Sequence, residues 1–300
     1  MAKTKPSTGD LVGREKELSR VRACLAASRS VLLEGPVGVG KTRLAISATQ
    51  EAKKKVFRID GDSRYSEQKL TGWFDPPAVM KKGFKKESFI PGPLLEAMES
   101  GGILFVNELN RLPEGVQNVL LPAIDERMVS IPKLGIIKAK PGFLVIATQN
   151  PKEFVATSHL SEAILDRFEL IAIDYQTEEE ELEIVKNRLI DFGAKKHLNE
   201  ITLASVRLTR TTRDHPRIKR GASIRAGIAV AELTSVLLSA GYDLKEAFFE
   251  AVLMALPTRI EIEREAESGV SLQQEIEALL RELSESTLEN LDSSDLQKKN

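Results

Sequence analysis

The run Gly35, Pro36, Val37, Gly38, Val39, Gly40, Lys41, Thr42 constrains this chain more than any other feature. It fits the pattern of Gly, four residues, Gly-Lys-Ser/Thr without a mismatch. It follows a short apolar run at 30–35 that reads as a buried strand, and it opens a helical pattern over about 41–54. Strand, glycine loop and helix in that order are what phosphate binding needs. The glycines let the loop wrap with backbone N–H groups inward, and the helix N-terminus adds positive potential. Lys41 is placed to reach the β- and γ-phosphates of a nucleotide, and the Thr42 hydroxyl to sit on Mg²⁺. The candidate phosphate-binding set runs from Gly35 through Arg43.

Four more apolar runs follow, at 55–60, 101–109, 142–150 and 169–174. With the first, they alternate with helical patterns at 14–27, 41–54 and 113–126, which predicts a five-stranded parallel sheet covered on both faces. Residues 61–93, rich in Gly, Pro and aromatics, read as an irregular functional loop. Residues 128–142 read as a hairpin around Lys133, Leu134 and Gly135. After Gln176 the strand signal stops and 177–258 read as helices only, so the expected boundary lies near 175. From 259 the charge density rises. Leu272, Ile276, Leu279, Leu280 and Leu283 form one helical stripe, read first as packing on the chain's own helical domain and second as a partner-binding face. Residues 1–9 read as disordered and 284–300 as frayed.

Lys plus Arg total 43 and Asp plus Glu 44, a net charge of −1 that gives no electrostatic case for a dedicated nucleic-acid binder. A single cysteine, Cys24, excludes an intramolecular disulfide and a thiolate metal cluster. His159, His197 and His215 are far apart. No apolar run approaches membrane-spanning length, and the first ten residues lack the shape of a signal peptide. The expectation is a soluble cytoplasmic protein.

The run ending in Asn107 and Glu108 is a buried strand closed by polar groups, the usual partner of a phosphate loop. The first position ordinarily holds a carboxylate that binds Mg²⁺ through its water shell. The second polarises the attacking water, the role expected of Glu108. Asn107 accepts a hydrogen bond from a metal-bound water but brings no negative charge.

Read together, these residues resemble an AAA+ ATPase of the MoxR family, from about Val12 to Pro257. Val12, Gly13, Arg14 and Glu15 look like the family's box beside the adenine. Phe89 to Leu94 looks like the segment before Walker B. Asn107 to Arg111, followed by 116–121, matches the Walker B stretch, which usually reads Asp-Glu-Ile-Asn-Arg, so Asn107 is a departure. Ala147 to Pro151 matches sensor 1, with Asn150 orienting the lytic water. Residues 165–168 match the stretch carrying the arginine finger, Arg167. Residues 221–226 match sensor 2, with Arg225 reporting nucleotide state and Ile224 where proline is common. Arg111 and Arg127 are further interface candidates.

The resemblance implies an AAA+ α/β domain over 10–175, with a helix-2 insert at about 65–93 and a pre-sensor-1 hairpin at about 128–142. A smaller all-α lid over 176–258 and a charged helical extension over 259–300 would follow. It also implies Mg²⁺-dependent ATP hydrolysis in a homo-oligomeric ring, a hexamer, with Arg167 acting on the neighbour's nucleotide. The expected role is a chaperone in assembly, maturation or cofactor insertion of a client, alongside a von Willebrand factor A domain partner. Two other functions stand beside it. Asn107 could leave an ATP-gated binding module with little hydrolysis. The shared helix-2 insert also resembles that of MCM-type nucleic-acid motors, and Trp73, Phe74 and the lysines at 81–86 could grip a strand or a polypeptide, or simply pack as an ordered loop.

Overall fold

The computed structural model describes residues 11–150, 160–194, 196–263 and 270–297, with the backbone alone given over 291–297. The expectations for residues 1–9 and for Pro151 fall outside the described residues. The chain forms two compact units divided after Tyr175.

The first unit runs α1 (Glu15–Ala26), β1 (Val31–Glu34), α2 (Lys41–Glu51), β2 (Val56–Asp60), α3 (Glu67–Thr71), β3 (Gly72–Phe74), α4 (Pro76–Lys82), β4 (Phe89–Pro91) and α5 (Pro93–Ser100). It continues with β5 (Ile103–Asn107), α6 (Glu114–Asp125), β6 (Met128–Ile131), β7 (Gly135–Lys138), β8 (Leu144–Gln149), α7 (Glu162–Leu165) and β9 (Glu169–Ala172). Five strands form one sheet in the order β2-β5-β8-β1-β9, and every neighbouring pair is parallel. The strands read as unbroken apolar runs because both faces are covered. Leu32, Leu104, Val106, Val145 and Ala147 enter one core. Their alternates Val31, Leu33, Ile103, Phe105, Leu144 and Ile146 enter the other. Period-two alternation thus divides a single apolar run between two cores.

The segment 61–93 is not irregular. Ser66 caps α3 by accepting from Lys69 N–H, and Asp75 caps α4 by accepting from Ala78 N–H, with Pro76 and Pro77 in its first turn. β3 and β4 pair antiparallel, Trp73 opposite Ile90. The aromatics largely serve their own packing: Phe74 meets Phe84 at 5.0 Å and Phe89 at 5.1 Å edge-on. Trp73 remains 45% exposed. β6 and β7 form the hairpin at 128–138, turning through Lys133 and Gly135, both at positive φ.

The second unit comprises α8 (Glu178–Phe192), α9 (Leu198–Asp214), β10 (Ile218–Arg220), α10 (Ile224–Ser239), α11 (Leu244–Ala255), β11 (Glu261–Ile262) and α12 (Leu272–Gln297). It is helical, but not wholly so: β10 and β11 pair antiparallel, Ile218 opposite Ile262. Two- and three-residue strands are too short to leave an alternating pattern, which is why helices alone are expected there. α12 continues to Gln297, through the stretch expected to fray. Its Leu279, Leu280 and Leu283 are buried in one core with Ala204, Leu208, Val230 and Phe248. The stripe therefore packs within its own unit from Ile276 onward, while Leu272 stays exposed; each fully buried leucine is worth about 2 kcal/mol.

Candidate nucleotide site

The phosphate loop leaves β1 at Glu34 and enters α2 at Lys41. Gly38 and Gly40 hold φ of 87° and 90°, a left-handed backbone that side chains disfavour. A Cβ on Gly35 would lie 2.0 Å from the Ile173 carbonyl oxygen just past β9, whereas one on Gly40 would meet nothing within 4 Å. Gly35 is thus demanded by packing and Gly40 by backbone conformation. Arg14, buried, reaches in from the turn before α1 and donates to the carbonyls of Val39 at 3.1 Å and Asp174 at 2.5 Å. One guanidinium so ties the loop to the segment after β9. The Lys41 ammonium folds over the loop onto the carbonyls of Gly35, at 2.6 Å, and Pro36, at 2.7 Å.

Across the sheet, three strand ends converge on Thr42. The Thr42 hydroxyl donates to Asn107 Oδ1 at 3.0 Å. The Thr148 hydroxyl donates to the same oxygen at 3.1 Å and accepts from Glu108 N–H at 2.9 Å. Asn107 Nδ2 donates to Asp60 Oδ1 at 2.9 Å. Asp60 is gripped by Arg58, whose guanidinium lies 5.7 Å from the centre of the Phe105 ring. The Arg58 guanidinium, with help from Asn107, holds the Asp60 carboxyl below the ordinary carboxylate range.

Glu108 has left-handed backbone, φ 59° and ψ 58°, a conformation that costs a non-glycine residue about 1–3 kcal/mol. Its carboxylate is half-exposed and paired with Arg111 at 2.7 Å. Asn150 is buried at the end of β8, and its carbonyl accepts from Asn110 Nδ2 at 3.4 Å. Arg167 pairs with Asp125 at 2.6 Å and also donates to the Ala163 carbonyl. Arg127 donates to the carbonyls of Phe143 and of Ser28 within its own chain. Arg225 lies in the second unit, exposed in the first turn of α10.

The structure therefore joins Thr42, Asn107 and the Glu108 backbone in one network. Arg167 stands outside that network, in an ion pair with Asp125. Sequence reasoning missed Asp60. The run at 55–60 ends on it, but only the sheet order puts that end beside Asn107, residue for residue.

A mononucleotide fits this site: glycines with the backbone freedom to wrap phosphate, a lysine and a helix N-terminus all face one loop. Mg²⁺ fits it too, because a threonine hydroxyl and an amide oxygen are hard oxygen donors set side by side. Among the described residues no group of three or more His, Cys, Asp or Glu could hold a metal.

The five-stranded order and this site together define an AAA+ P-loop protein. Residues 30–168 match the AAA domain of the dynein-related subfamily. The chain is 31% identical over 235 residues to the gas vesicle ATPase GvpN of Haloferax mediterranei, spanning 73% of this chain and 66% of that protein. It is 27% identical to GvpN1 of Halobacterium salinarum, over 88% of this chain and 77% of that one. In fold it is similar to a RuvB mutant of Thermotoga maritima, with TM-score 0.56, 19% identity and coverage of 83% and 73%. The chain thus carries an AAA domain and is similar over most of its length to gas vesicle ATPases, spanning about two thirds of the Haloferax protein. Among the described residues no helix is long and apolar enough to cross a membrane.

Proposed function

We propose that the protein hydrolyses ATP as an oligomeric ring, a hexamer, and uses the cycle as a cytoplasmic chaperone acting on a client protein. The observation that carries this reading is the junction of Thr42, Asn107, Thr148 and the Glu108 backbone beside the phosphate loop. The name of its relative, a gas vesicle ATPase, supports the ATPase part. The loop from Gly35 to Arg43 would wrap the phosphates, and Lys41 would exchange its two carbonyl partners for phosphate oxygens. Thr42 and Asn107 would hold Mg²⁺, which when bound neutralises charge on the β- and γ-phosphates. Glu108 would take a proton from the lytic water and Asn150 would orient it. Arg111 must release Glu108 for this, an exchange that an exposed pair permits at small cost.

Arg167 would serve a neighbouring subunit's nucleotide, leaving Asp125 to do so. Residues 176–258 would act as the lid, with Arg225 as its sensor. A partner carrying a von Willebrand factor A domain would present the client. Turnover per subunit should rise steeply with protein concentration and disappear in R167A. Nucleotide binding with no turnover at any concentration would instead favour a nucleotide-gated binding module. Asn107 is the observation behind that second reading, and a large gain of turnover in N107D would support it.

A further inference from the structure

An asparagine in the metal-facing position has a problem that an aspartate lacks. Both ends of a carboxylate accept hydrogen bonds, so either can face a metal's water shell. An amide has one accepting end and one donating end, and the donating end turns the water shell away. Something must set which end faces Thr42. The hydrogen-bond network here has only one consistent direction. The Thr148 hydroxyl accepts from Glu108 N–H and donates to Asn107 Oδ1, but a hydroxyl with two lone pairs accepts from an amide N–H just as readily and does not set the amide by itself. On the other side stands Asp60, which accepts from Asn107 Nδ2 at 2.9 Å.

Asp60 is itself well held. Arg58 approaches both of its oxygens, at 2.7 Å and 3.1 Å. The adjoining backbone cannot slip: Gly61 N–H donates to the Asn107 carbonyl at 2.7 Å, and a Cβ on Gly61 would lie 2.0 Å from the Glu108 carbonyl oxygen.

We propose that Asp60 is a positioning residue of the metal site, locking the Asn107 amide so that its oxygen faces Thr42 and the water shell of Mg²⁺. The inference rests on the Mg²⁺-nucleotide reading above. Asp60 acts through Asn107 and does not itself touch the nucleotide. Its carboxylate does for an amide what no neighbour needs to do for an aspartate.

The test is binding of the fluorescent analogue mant-ADP to the full chain, titrated with Mg²⁺ and repeated in EDTA. D60A should raise the half-saturating Mg²⁺ about tenfold, the usual worth of an outer partner to a metal ligand. Affinity in EDTA should stay within about twofold. D60N, which keeps one acceptor oxygen, should lose less than D60A. The decisive arm is N107D. With a carboxylate at 107, D60A should no longer weaken Mg²⁺ and should strengthen it, because it removes a like charge next door. The proposal is overturned if D60A leaves the Mg²⁺ midpoint unchanged. It is equally overturned if D60A weakens Mg²⁺ by the same factor in the N107D background, or lowers the EDTA affinity as much. Asp60 is 58% exposed, so the variants should fold, and their melting midpoints verify it. If the unaltered chain binds mant-ADP with no dependence on Mg²⁺, both the site reading and this inference fall. If it shows that dependence and D60A matches it, only the inference does.

Discussion

Two polar clusters, one in each unit, are built to opposite rules. At the phosphate loop, Thr42, Asn107 and Thr148 are neutral groups joined by bonds of 3.0 and 3.1 Å, with Thr42 and Asn107 only partly buried. In the second unit, Glu181 is fully buried in the first turn of α8, between Arg210 at 3.1 Å and Arg213 at 2.8 Å from α9. A neutral hydrogen bond nets only about 1 kcal/mol and can be traded for a ligand's. A buried charge that loses its partners has no water to replace them. The first cluster is made for exchange and the second for permanence.

The sharpest way to break that contrast is to treat both clusters alike. E181A leaves two arginines without their buried carboxylate and should lower stability by about 3–5 kcal/mol, measured by urea unfolding. A loss below about 1 kcal/mol would mean that the second cluster is as exchangeable as the first. K41A should weaken mant-ADP binding about 100-fold, the value of a charged contact to phosphate, while barely moving the melting midpoint, because its present partners are two loop carbonyls. A large drop in that midpoint would make Lys41 structural. The smallest effect belongs to the exposed pair of Arg22 and Glu51, at 2.6 Å. Its arginine holds the Glu51 carboxyl below the ordinary range. A depressed carboxylate contributes stability above its unfolded pKa and loses it as pH falls through the folded one. R22A should therefore differ slightly from the parent at neutral pH and converge with it in acid; divergence in acid would reverse the sign.

The sheet was legible because each strand is an apolar run closed by glycine or by polar residues, and the loop because its spacing has one chemical purpose. The insert was harder, although Ser66 and the Asp75-Pro76-Pro77 sequence are helix-start signals that can be read. Glu181 was concealed by its company. Residues 178–181 are four glutamates in a row, the kind of charge run that ordinarily faces solvent, yet Glu181, Val185 and Leu189 are buried at helical spacing. The period carried the answer and the charges masked it. Asp60 could not be found from its own segment at all, since its meaning comes from a strand 47 residues away.

The left-handed turn at Glu108 has one more consequence. Glycine would sit there at ease, and a glutamate does not. E108G should therefore melt above the unaltered chain by a few degrees in a thermal scan while hydrolysing nothing. At that position the residue the backbone would choose and the residue the proposed hydrolysis would choose are different, and this chain carries the second.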